Sequence, residues 1–290
     1  MALNLLTTCW GKKHIEMFEK TALRSLSWPK NRAALQAVDA VWCIYTDDQD
    51  LDHMKAICTT PGITFNIQST TKLRNYIDMV QSATIDMIEL CVERNEKLLL
   101  APPDTIFGDG TVLGLLTAGQ DPDSVVVVPH PRVLPSILST MEKRGHITND
   151  TLVDLAWEHL HDAWVHAERN HPNQSSYVGG VEWWWAGDNI CGTHRLPSPY
   201  LLSFTNEDLM YFKSAISFGH FDHMWPGDIL IPRGRQRYLG SSEAAFIVEI
   251  TEAGKNVPPI IENQPKTGFW RDHVHNKNNA QIIFTFTGEK

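Results

Sequence analysis

Four short apolar runs constrain this fold more than any other feature: LNLLTT from Leu3, AVWCIYT from Ala40, KLLLA from Lys97 and SVVVV from Ser124. Each is too short for a helix and lacks the apolar–polar alternation of a strand with one wet face. They therefore read as strands covered on both sides, as in a parallel sheet under helices. Helical patterns fill the intervals. Ile15, Phe18, Ala22 and Leu26 recur at helical spacing over Lys13 to Leu26, and Ile77, Val80, Ala83, Ile88 and Cys91 do so over Leu73 to Val92. A weaker strand, Thr64 to Gln68, follows the Pro61-Gly62 turn signal, and a short helix is expected from Thr111 to Thr117. Right-handed crossovers through such helices give an α/β doubly wound layer, a mainly parallel open sheet flanked by helices in a Rossmann-like arrangement. Residues 3–130 should then carry Leu5, Val41, Leu99 and Val126 on adjacent buried strands.

The second half loses this rhythm. A helix is expected from about Asn149 to Glu168, followed by strands at Tyr177 to Ala186, Tyr200 to Phe204 and Ala244 to Ile250. Helical and antiparallel additions to the parallel core are the natural reading. One domain over 1–290 is expected, with a ligand-binding half (1–130), a second half (131–250) that completes the cleft, and a C-terminal lid or tail (251–290).

Composition narrows the partners. A net charge of −9 disfavours broad attachment to nucleic acid or anionic lipid, since both need a basic surface. Five scattered cysteines show no CxxC spacing, so free thiols in a reducing compartment are expected. The N-terminal apolar run is short and precedes its charges, unlike a secretory signal, and no uncharged stretch reaches the ~18 residues of a membrane span. A cytoplasmic protein is the expectation, and a homo-oligomer is compatible with it. The triplet Trp183-Trp184-Trp185 reads equally well as aromatic packing or as a stacking platform for a sugar or base.

In open α/β sheets ligands sit outside the carboxyl ends of the strands. The residues there are Thr7, Thr8 and Trp10, then Asp47 and Asp48, then Asp104 and Asp109, then His130. Asp47 and Asp48 could equally be helix caps. Asp104 is more telling, because Pro102 and Pro103 stiffen the backbone that presents its carboxylate.

Two further segments concentrate imidazoles and acids. In FGHFDHMWP, His220 and Asp222 would share one face of an extended strand and His223 the other, so the segment could supply a base, an acceptor contact or a metal ligand. In WEHLHDAWVHAERNH, His159, Asp162 and His166 could line one helical face, although the accompanying apolar pattern argues for a solvated face instead. HEXXH, GxSxG, the Walker loop and GxGxxG are all absent.

At the strand ends the chain resembles the GT-A class of glycosyltransferases. LNLLTTCW and VWCIYTDD open strand–helix units, and KLLLAPPDTIFGDG stands where that class carries its acidic D-x-D element, with Pro102 in place of the first acid and Asp104 as the last. The resemblance implies a GT-A-like fold and a transferase using a nucleotide-sugar donor, UDP-sugars foremost, with an acceptor it leaves undefined. It implies a divalent metal, manganese or magnesium, on Asp104, with His223 and His275 as further ligands. It places Thr7, Thr8 and Trp10 at the base, Asp47 at the base or ribose, and Asp222 or His223 across the cleft with a proton-accepting or metal-binding group. Arg271 and Lys277 would meet the diphosphate. A nucleotidyltransferase-like enzyme, for which Gly11-Lys12-Lys13 is a weak phosphate loop, and a catalytically silent carbohydrate-binding protein are the alternatives.

Overall fold

The computed structural model describes residues 2–70, 76–169, 171, 181–194, 198–216, 235–255 and 282–287. The chain opens with β1 (Leu3–Thr8), α1 (Lys12–Phe18), a π-helical turn (Glu19–Leu23), α2 (Arg24–Leu26), α3 (Pro29–Ala37) and β2 (Val41–Thr46). Next come α4 (Leu51–Ile57), β3 (Thr64–Ser69), α5 (Tyr76–Arg94), β4 (Lys97–Leu100), β5 (Thr105–Phe107), α6 (Thr111–Ala118), β6 (Val125–Val128) and β7 (Arg132–Val133). The remainder comprises α7 (Ile137–Lys143), α8 (Asn149–Glu158), α9 (Asp162–Val165), β8 (Glu182–Ala186), β9 (Asn189–His194), β10 (Ser198–Leu202), α10 (Asn206–Ile216), β11 (Gln236–Tyr238), β12 (Ile247–Ile250) and β13 (Ile282–Thr287).

Seven strands form one sheet in the order β11-β6-β10-β4-β1-β2-β3. All run parallel except β10, which pairs antiparallel with both β4 and β6. The expected parallel α/β layer is therefore present, with one correction. Leu5 and Leu99 sit on adjacent strands and are buried, but β10 separates β4 from the strand of Val126, and Val41 is only half-buried. Sequence order could not show a later strand entering between two earlier ones.

The unbroken apolar runs are explained by alternation across two covered faces. Leu3, Leu5, Val126 and Val128 join the core beneath α1, α3 and α6, whereas Leu6, Leu98, Val125 and Val127 join the core beneath α5 and α10. The four valines of β6 are at most 1% exposed, and each contributes roughly 1.5–3 kcal/mol by burial. An aspartate at Val127 would put an unpaired charge into that second core.

The expected helix from Asn149 to Glu168 is instead two helices. α8 ends at Glu158, and His161 caps α9 by accepting the Ala163 N–H at Nδ1, 3.2 Å. The His161 ring is fully buried and its Nε2 lies 3.0 Å from the Glu252 carbonyl, which fixes the break. Of the strand expected at Tyr177 to Ala186, the described part is β8; 177–180 lie outside the described residues.

A second apolar core gathers Trp28, Trp157, Trp164, Trp183, Phe246 and Phe286 under two small sheets, β5-β12-β7 and β13-β9-β8. Gly114 lets α6 approach the turn that precedes β12: a Cβ there would stand 1.8 Å from the Ala244 carbonyl oxygen. Among the described residues, no helix is long and apolar enough to cross a membrane.

Candidate functional site at the carboxyl edge of the sheet

Parallel register brings the carboxyl ends of β1, β2 and β4 to one edge, and Thr8, Asp47 and the Pro102-Pro103-Asp104 turn with them. The turn is held from two sides. The Thr21 hydroxyl, buried on the π-helical turn, is shared between the Met17 carbonyl at 2.6 Å and the Pro103 carbonyl at 2.5 Å. On the other side the Asp104 carbonyl accepts the Ile250 N–H at 2.8 Å, continuing the antiparallel pairing of β5 with β12.

That pairing assembles a group the sequence did not reveal. Glu249 on β12 is opposite Thr105 on one side and Arg132 on the other. Its carboxylate lies 3.4 Å from Arg132 Nε and 3.4 Å from His130 Nε2, and it accepts the Thr251 hydroxyl at 3.3 Å. The His130 ring stands edge-on to Tyr200 at 5.8 Å between centroids, and Tyr200 is almost fully buried on β10. Burial, first, and the nearby Glu249 charge push the Asp104 carboxyl up to about 7, with Arg132 acting in the opposite direction. Asp104 is half-buried as a residue, and it is the burial of its carboxyl that chiefly favours the protonated form near neutrality. Burial, then Glu249 and Asp104, also raise the Tyr200 phenol well above its ordinary value.

Cys9, just past β1, belongs to the same edge. Burial, with the Asp50, Cys58 and Asp104 charges behind it, pushes its thiol up to about 12, so it is an inert packed group there. Asp50 also accepts the Gly11 N–H at 2.6 Å and so fastens the loop after β1.

The other sequence candidates have diverse fates. Thr7 is enclosed: its hydroxyl donates to the Ala101 carbonyl at 2.6 Å and accepts Trp42 Nε1–H at 2.9 Å, tying β1 to its neighbours. Thr8 and Trp10 are half-buried at the edge. Asp47 caps the short 3-10 turn Asp48–Asp50, accepting the Gln49 N–H at 3.4 Å, and Asp48 accepts the Ser69 hydroxyl. Asp109 is a buried helix cap for α3, accepting the Lys30 and Asn31 N–H groups at 2.9 and 3.0 Å. His159 bonds Ser136 and Thr140 and shares no helix with His166, which removes the chelating face drawn from their spacing. His220, Asp222, His223, Arg271, His275 and Lys277 lie outside the described residues.

The divalent ion implied by the resemblance can be tested against the donor set. Among the described residues no three His, Cys, Asp or Glu side chains are grouped to hold a metal. The carboxylate nearest in role to Asp104, that of Glu249, is already engaged by His130, Arg132 and Thr251. The described residues alone do not fit such an ion.

These features define the class of protein by fold: an α/β protein with an open, mainly parallel sheet and a carboxylate cluster at its carboxyl edge. No protein-family profile matches the chain, and no curated protein does. Among solved structures it is similar to a Bacillus anthracis protein assigned as a glucose-1-phosphate thymidylyltransferase, in complex with a sucrose, at 10% identity and a TM-score of 0.41, over 82% of this chain and 86% of that one.

Proposed function

We propose that the chain is a glycosyltransferase that moves a sugar from a nucleotide-sugar donor, with Asp104 as the acid on which transfer depends. One observation carries this reading: a carboxyl on a half-buried residue at the carboxyl edge of a parallel sheet, raised to about 7 by burial and by Glu249. A group of that kind is matched to proton transfer near neutral pH. In the proposed reaction the acceptor hydroxyl oxygen bonds to the anomeric carbon as the bond from that carbon to the diphosphate oxygen breaks. Asp104, in its ionised form, takes the hydroxyl proton. Arg271 and Lys277 are the proposed counter-charges for the leaving diphosphate, the main electrostatic task of such a transfer. Asp222 or His223 is proposed to close the cleft opposite Asp104.

Incubation with UDP-, GDP- and CMP-sugars, with and without manganese, tests the reading by release of free nucleotide. The expected result is release from one donor class, and the manganese arm reads metal dependence. Pyrophosphate release from a nucleoside triphosphate and a sugar 1-phosphate, with all nucleotide-sugars left intact, would instead identify a nucleotidyltransferase.

A further inference from the structure

The tryptophan triplet on β8 divides into three environments. Trp183 is buried and donates Nε1–H to the Trp164 carbonyl at 2.7 Å. Trp184 lies beneath the Arg169 guanidinium, 3.6 Å from its ring centroid. Trp185 is 54% exposed.

Trp185 borders an open concavity of about 770 Å³ between α8 and the β8–β9 hairpin. Val153, Leu155, Trp157 and Ile190 supply apolar lining, while Asp154, Glu158, Asp188 and Arg144 supply polar groups. The walls are regular structure: Trp185 pairs with Ile190 in the hairpin ladder, and its ring meets that of Trp183 edge-on at 6.3 Å. The hairpin turns through Gly187, whose φ of +64° is one that two-residue hairpins require and other residues resist. Among the described residues, a Cβ at Gly187 would meet nothing within 4 Å.

The chemistry of this lining selects a ligand class. Three carboxylates against one guanidinium repel phosphates, which sets the concavity apart from any diphosphate site. An exposed tryptophan face accepts the apolar C–H face of a sugar ring, and carboxylates accept the hydroxyl hydrogens at its rim. None of the lining residues belongs to the Asp104 cluster.

We propose that this concavity binds the uncharged sugar rings of a glycan, with Trp185 as the stacking platform and Glu158 and Asp188 as hydroxyl acceptors. The site does not depend on transfer chemistry, and a chain that releases no nucleotide from any donor would still bind there.

The test uses the full chain on an array of malto-, cello-, manno-, xylo- and chito-oligosaccharides, followed by calorimetric titration of the sugar retained. Trp185→Ala, at an exposed position, should fold with unchanged thermal stability and weaken binding by at least about tenfold, the loss of roughly 1.4 kcal/mol. Trp185→Phe should recover part of the affinity, and Glu158→Gln should weaken binding less than Trp185→Ala does. Donor turnover, if the chain has it, should be unchanged in Trp185→Ala, so the two proposals fail separately. Retention of none of these sugars, or equal affinity of wild type and Trp185→Ala, would overturn the site.

Discussion

Glu249 and Arg132 are partners in the parallel register of β12 and β7, and their side chains meet at 3.4 Å beside Asp104. The pair sets the field in which the Asp104 carboxyl titrates, Glu249 raising its affinity for the proton and Arg132 lowering it. Glu249→Gln keeps the side-chain shape and removes one charge from the cluster. The acid limb of the pH–rate profile for donor turnover should then move to lower pH, because the ionised form of Asp104 loses a neighbouring like charge. A purely structural Glu249 would lower the rate without moving the limb.

Asp104→Asn should reduce turnover by more than about a hundredfold, equivalent to roughly 3 kcal/mol of transition-state stabilisation, while thermal stability stays at or above that of wild type. Asp162→Asn is the control, since Asp162 is exposed in the first turn of α9. Single-turnover rates for both variants check the assignment. Equal losses would show that the chemistry lies elsewhere.

Much of the layer was legible because its strands are unbroken apolar runs and its helices are strongly periodic. The strands from Leu3, Val41 and Lys97 were readable for that reason. The insertion of β10 was not, because a residue pattern carries no information on which long-range pair forms. The edge position of Asp104 followed from KLLLAPPD, but its neighbour Glu249 did not. Glu249 lies in AAFIVEI, a strand whose pairing with both Thr105 and Arg132 exists only in the folded chain. Asp104 and Asp109 look alike in sequence, each following an apolar run. Only the approach of the α3 N-terminus shows that Asp109 is a helix cap.

Asn31 should prove the most sensitive polar residue beneath that edge. It is fully buried, donates to the Ser25 and Gly108 carbonyls at 3.0 Å, and accepts the Gly110 and Val112 N–H groups at 3.0 Å. Asn31→Ala leaves buried backbone donors and acceptors without partners, at a cost of about 3 kcal/mol or more. Asn31→Asp retains the accepting oxygen but aims a second oxygen at carbonyls, so it should be no milder. Urea unfolding monitored by circular dichroism gives both values.

The pH dependence of stability follows from Asp104. Its folded-state carboxyl is raised to about 7 by burial and by Glu249, whereas an unfolded aspartate titrates near its ordinary 3.8. Between those values the folded chain holds a proton on Asp104 that the unfolded chain has released, so this group's contribution to stability falls as pH rises. This contribution is complete below the unfolded value and is lost as pH rises through about 7. The groups facing Asp104 include Glu249, Arg132, Tyr200 and Cys9. The thiol at about 12 and the phenol, raised well above its ordinary value, stay neutral throughout the window. Glu252, lowered to about 2 by Lys13 and Lys255, stays ionised across it and adds no slope. Between pH 5 and 8 the wild type should therefore lose about 1–3 kcal/mol of unfolding free energy that Asp104→Asn does not lose. Denaturant titrations of both proteins at pH 5, 6, 7 and 8 measure the difference. Parallel curves for the two would show that the Asp104 carboxyl titrates as an ordinary exposed acid and is ionised across the whole range.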